Sequence, residues 1–257
     1  FDQNASLEGV AKWYGYIDQP ERVPEIMRRA FTMLRSGRPG PVVLGIPNAS
    51  ATYDEIQDPY ISPKGWRSLP DPADVKIAAE ALESSDNPVL FVGEGVLYSD
   101  ATEELKAFAE KANLPVVTTL KAKGAFPENH PLSVGVRGDH VLKYMNDADL
   151  IFAVGASISP GRFGHGIPDA TNKKIIQCNI DEYDINRMYP TTHAVIGDAK
   201  ATLQSLVEEL GNGASEQKDR IENEIASTTD QAMAQYHEVF SSDAKPINPY
   251  RVYGDLM

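Results

Sequence analysis

The chain has 257 residues, with 24 basic and 37 acidic side chains and a formal net charge of −13. Hydrophobic residues make up 42% and charged residues 24%, ordinary globular usage that excludes collagen-like and fully disordered chains. No apolar run approaches the roughly 20 residues of a membrane helix. Strong acidity opposes binding to a phosphate backbone. The lone cysteine, Cys178, excludes an internal disulfide and a Cys-cluster metal site. A soluble cytoplasmic protein is expected, with neither membrane nor nucleic acid as its main partner.

Residues 21–37 read as a helix, with Val23, Met27, Ala30, Phe31 and Leu34 on one face, Pro24 in the first turn and Gly37 past the end. The short apolar run 41–46, rich in β-branched residues, reads as a buried strand. Residues 48–70 lack periodicity and carry Pro59, Pro63, Gly65 and Pro70, so a linker is expected over 56–70. From Asp71, a helix cap followed by Pro72, helices and apolar runs alternate. Strands are expected at 88–92, 114–118, 150–154 and 174–180. A capping box at Asp100 and Glu103 opens one helix, residues 139–147 form a short one, and Asp198 caps another that ends at Gly211. Strands apolar on both faces, alternating with amphipathic helices, imply a parallel sheet covered on both sides. The expected fold is α/β: an open, doubly wound parallel sheet over 71–211, with part of a second α/β domain over 1–55. Residues 214–240 show helical spacing, and an ordered segment restarts near Lys245.

Two strand-end loops carry the chemistry. Gly93-Glu94-Gly95 follows the strand at 88–92 and precedes a helix. Such glycines let backbone approach a phosphate, although Tyr98 stands where a third fingerprint glycine would be, and a tight turn is the plainer reading. The loop from Gly155 to Gly166 follows the strand at 150–154 and holds Ser157, Ser159, Arg162 and His165. Arg162 is suited to pairing a phosphate bidentately. Asp181, after the strand at 174–180, could accept ribose hydroxyls or merely cap a turn. The five histidines show no metal-binding spacing, and no G-x-S-x-G or P-loop motif is present. Cys178, on a buried strand, reads as a core residue.

Three segments resemble one family. Ser36-Gly37-Arg38-Pro39-Gly40-Pro41-Val42-Val43-Leu44-Gly45-Ile46-Pro47 is similar to the close of the pyrimidine-binding domain of thiamine-diphosphate-dependent enzymes, acetolactate synthase-like branch. Leu120-Lys121-Ala122-Lys123-Gly124-Ala125-Phe126-Pro127-Glu128-Asn129-His130-Pro131 and Asp147-Ala148-Asp149-Leu150-Ile151-Phe152-Ala153-Val154-Gly155 resemble its central domain. Lys245 to Met257 resembles the start of its diphosphate-binding domain.

The resemblance implies a piece of a longer carboligase or decarboxylase acting on a 2-oxo acid and working as a homodimer or homotetramer. Thiamine diphosphate and Mg2+ would be held by residues outside this piece, which would then be inactive alone, contributing no catalytic or metal-binding residue of its own. The central domain would take FAD, ADP or nothing, through Gly93, Gly95, Gly155, Ser157, Arg162 and Asp181. The chain departs from the flavin-binding pattern at Ser157, where that branch has arginine, and at Gly135-Val136-Arg137-Gly138, where it has G-M-H-G. The alternative function is a nucleotide-binding or purely structural module without thiamine chemistry.

Overall fold

A computed structural model describes residues 2–47, 59–159, 166–211 and 218–256. The chain divides into two compact units, Phe1–Ser68 and Leu69–Met257.

The first unit holds α1 (Gln3–Leu7), β1 (Trp13–Tyr16), α2 (Val23–Arg35) and β2 (Val42–Gly45). β1 and β2 pair in parallel, Trp13 opposite Val42. The buried positions of α2 are Pro24, Ile26 and Ala30, rotated from the expected face, and Leu34 is exposed. Gly15 in β1 gives this face room: a Cβ there would lie 2.5 Å from the Trp13 ring and 3.1 Å from Ile26 Cγ2. At the far end of α2, the ammonium of Lys12 donates to the carbonyls of Met33, Ser36 and Arg38 at 2.7, 2.5 and 2.8 Å. A cation at a helix C-terminus satisfies carbonyls that have no intrahelical partner.

The second unit runs α3 (Pro72–Glu83), β3 (Pro88–Val92), α4 (Gly95–Tyr98), α5 (Thr102–Ala112), β4 (Val116–Thr118), β5 (Ser133–Gly135), α6 (Asp139–Asp147), β6 (Leu150–Val154), β7 (Lys174–Asn179), β8 (His193–Ile196), α7 (Ala199–Glu209), α8 (Lys218–Ala234), α9 (His237–Phe240) and α10 (Pro249–Leu256). Its six strands are all parallel, in the order β5-β4-β3-β6-β7-β8. Along β3, Leu90 and Val92 join a core with Val75, Leu82, Leu105, Phe108 and Leu203 from α3, α5 and α7. Val89 and Phe91 join the opposite core, with Val141 and Met145 of α6 and Ile225 of α8. The sheet is thus covered on both faces. Each fully buried Leu, Ile or Phe contributes roughly 1.5–3 kcal/mol by leaving water.

Asp71 and Asp198 cap α3 and α7 as their positions imply, accepting from the N–H groups of Ala73, and of Lys200 and Ala201. The capping box at Asp100 does not form. Asp100 takes a left-handed conformation, φ +53°, and Ala101 occupies the cap position of α5 with no side-chain cap bond. The cause is α4, absent from the sequence-based reading. The N–H of Ala101 donates to Val96 O at 3.0 Å, closing that short helix and turning the chain through Asp100. Strands β1, β5 and β8 were likewise not expected, and the helical region at 214–240 resolves into α8 and α9.

At the amino end of the sheet, Asp149 organises the turn before β3. Its carboxylate accepts from Ser85 Oγ at 2.5 Å and from the backbone N–H groups of Asp86 and Asn87 at 3.0 and 2.9 Å. Partial burial acts to raise its pKa, but these hydrogen bonds outweigh it and hold the carboxyl below its ordinary range.

Candidate ligand site at the carboxyl ends of the strands

The chain leaves β3 toward β4 and β5, then returns to lay β6 on the other side of β3. The reversal opens a crevice beyond the carboxyl ends of β3 and β6, where open α/β sheets receive ligands. Gly93, Gly95 and Gly155 meet there. The N–H of Gly93 donates to Val154 O at 2.9 Å and that of Gly95 to Gly155 O at 3.0 Å. A Cβ on Gly95 would lie 2.8 Å from the Cα of Gly155, and one on Gly93 would overlap the Gly155 carbonyl. Gly155 itself is left-handed, φ +61°. These glycines therefore seat one strand-end loop against the other, a use distinct from direct approach to a phosphate.

Beside them lies a cavity of about 380 Å³. Phe91, Val117, Val141, Met145 and Ile158 give it an apolar wall; Thr118, Thr119, Ser157 and Ser159 supply hydroxyls. Lys121 and Glu94, both lining residues, pair at 3.2 Å. The structure thus brings Gly93, Gly155 and Ser157 to one cavity, with Gly95 packed behind them. Asp181 is not among the lining residues; its carboxylate accepts from Tyr183 N–H at 3.1 Å and caps a turn. Arg162 and His165 lie outside the described residues. Sequence reasoning missed Thr118, Thr119 and Lys121 as lining groups. It also missed Gln177, whose polar side chain interrupts the apolar strand β7.

A larger cavity, about 740 Å³, lies at the amino ends, between Asn87, Pro88, Asn113, Pro115, Tyr144 and Arg220. Burial there pushes the Tyr144 phenol up to about 12, which keeps it protonated. The reversal of strand order makes the smaller, carboxyl-end cavity the candidate site in a sheet of this kind. Two histidines serve as anchors. His130 Nε2 meets Glu110 Oε1 at 3.1 Å while its Nδ1 accepts from Leu132 N–H, and His193 Nε2 donates to Asp74 O. Cys178 is buried, and burial pushes its thiol well above its ordinary value. Among the described residues, no group of three or more His, Cys, Asp or Glu could hold a metal ion, and no helix is long and apolar enough to cross a membrane.

The six-stranded parallel sheet and its covering helices define an open, doubly wound α/β domain. Residues 75–206 match the model for the thiamine pyrophosphate enzyme central domain, about half of the chain, and the chain belongs to that family. It is 34% identical to the acetolactate synthase large subunit of Corynebacterium glutamicum over 84% of this chain and 37% of that protein. It is 33% identical to the corresponding subunit of Parasynechococcus marenigrum over 77% of this chain and 34% of that protein. Its fold matches the benzoylformate decarboxylase of Polynucleobacter necessarius with a TM-score of 0.63 and 26% identity, covering 81% of this chain and 40% of that one. The chain thus spans between a third and a half of the length of each of these relatives.

Proposed function

We propose that the chain is the central portion of a thiamine-diphosphate-dependent carboligase or decarboxylase acting on a 2-oxo acid, and that its carboxyl-end cavity holds an adenine nucleotide, as FAD or ADP. The observation that carries this reading is the cavity at the β3–β6 reversal, within the residues matched to the family's central domain. Relatives named acetolactate synthase and benzoylformate decarboxylase support the reaction class. Residues 1–55 would then be the C-terminal part of the pyrimidine-binding domain, 56–70 a linker, 71–211 the central domain, and 212–257 a linker helix and the start of the diphosphate-binding domain, and the whole enzyme would be a homodimer or homotetramer.

The cavity suits a flat heteroaromatic ring. Phe91, Val117, Val141 and Met145 would cover its faces, and the hydroxyls of Thr118, Thr119, Ser157 and Ser159 would meet its polar edge, the usual composition of a cofactor pocket. Lys121, paired with Glu94 at 3.2 Å, would offer charge to a phosphate by exchanging that partner. Bound there, the nucleotide would serve as an anchor for the domain. Thiamine diphosphate, with Mg2+, would supply the electron sink for decarboxylation.

The test is the absorption spectrum of freshly purified protein, followed by mass spectrometry of what heat releases. A flavin band, or a colourless release of adenine nucleotide, supports the reading. No release, with no calorimetric binding of FAD or ADP, overturns the nucleotide assignment and leaves a structural spacer.

A further inference from the structure

We propose that Gln177 is a positioning residue for the ligand loop, acting through the carbonyl of Ala156; the inference rests on the reading of the carboxyl-end cavity as a nucleotide site. Gln177 lies on β7 and is 2% exposed. Its amide Nε2 donates to Ala156 O at 3.1 Å and to Asp184 O at 3.2 Å, while its Oε1 accepts from Thr191 Oγ1 at 3.2 Å. Asn179, two residues on, donates to the same Ala156 carbonyl at 3.4 Å.

One buried side chain therefore ties together the loop after β6, the turn after β7 and the segment before β8. A carboxamide is costly in an apolar strand unless its groups are bonded. A leucine there would deprive the Asp184 carbonyl and the Thr191 hydroxyl of these bonds, so the side chain is held by its partners and not by packing alone. Ala156 separates Gly155 from Ser157, a cavity residue. Two residues past Ala156, Ile158 is left-handed, φ +48°, and 8% exposed. A β-branched residue keeps such a conformation only where its surroundings over-determine it. Gly93 and Gly95 hold the loop from the β3 side; Gln177 and Asn179 hold it from the β7 side. Between these clamps, Ser157 and Ile158 are set against the cavity.

The experiment compares Q177L, the milder T191V and a distant control, S85A, which loses one hydrogen bond at the amino end of the sheet. Binding is titrated with ADP and with FAD, and amide hydrogen exchange is read across residues 155–159. Q177L should weaken nucleotide binding at least tenfold and speed exchange in that segment at least tenfold, with β3 and β6 unchanged. T191V should do both to a smaller degree. S85A should lower the melting temperature without touching affinity or loop exchange. Unchanged loop exchange in both Q177L and T191V overturns the proposal, as does equal weakening by S85A. If the parent chain binds neither nucleotide, the ligand reading fails, and loop exchange still decides whether Gln177 positions the segment. If Q177L does not fold, T191V against S85A makes the same decision.

Discussion

The N–H of Gly95 donates to the carbonyl of Gly155 across 3.0 Å, locking the loop after β3 to the loop after β6. The two strands are neighbours in space, yet α4, α5, β4, β5 and α6 separate them in the chain. Their glycines are the points at which the reversal of the sheet is sealed.

Replacing Gly93 by alanine should therefore destabilise the second unit. The added methyl overlaps the Gly155 carbonyl, which is backbone and cannot swing aside. The expected loss is about 1–3 kcal/mol, the usual cost of forcing atoms into a packed site. Urea unfolding should show a lower midpoint with an unchanged slope. A variant as stable as the parent would mean that the two loops stand farther apart than described.

Asp149 should make stability pH-dependent at the acid end. Its folded pKa is lowered, so its contribution is complete above the unfolded carboxylate value, about 3.9, and is lost as pH falls through the folded one. D149N should cost roughly 1 kcal/mol at neutral pH, a figure discounted for the exposure of this side chain. The difference between parent and variant should stay flat from pH 8 to 5 and shrink below about 4. A constant difference down to pH 2, in thermal melts, would refute the assignment.

Lys12→Met keeps the apolar stem but removes the ammonium from the carbonyls of Met33, Ser36 and Arg38. A loss of about 1–2 kcal/mol in the first unit is expected. Hydrogen exchange should accelerate over residues 33–38; unaltered exchange there would count against the cap.

Cys178 should be chemically silent. Burial raises its thiol pKa and denies reagents access. A chromogenic disulfide reagent should find no thiol in the native chain and one in denaturant. Rapid native labelling would show that β7 opens.

Legibility in the sequence followed local physics. α3 and α7 were readable because Asp71 and Asp198 bind their own helices' N–H groups. β3, β6 and β7 were readable because central parallel strands are apolar on both faces. β5 and β8 were not: they are edge strands of 3 and 4 residues, too short to show a period. Asp100 misled because its pattern is local, whereas its conformation is set by closure of α4. At the strand ends, Gly93, Gly95, Gly155 and Ser157 could be singled out because they directly follow apolar strands. Their mutual packing could not, because it depends on which strands are neighbours. Asp181 has a local use, as the cap of the turn at Glu182–Asp184. Gln177 left one visible sign, a polar residue inside an apolar strand, whose partners only the fold reveals.

The most direct test of the nucleotide site is hydrogen exchange with and without saturating ADP or FAD. Slowed exchange is expected at three separate segments, residues 93–96, 118–121 and 155–159, with residues 85–89, 111–115 and 143–148 at the amino end unaffected. Protection confined to the amino-end segments would place the ligand in the larger cavity and contradict this expectation, and protection nowhere would remove the nucleotide from the account.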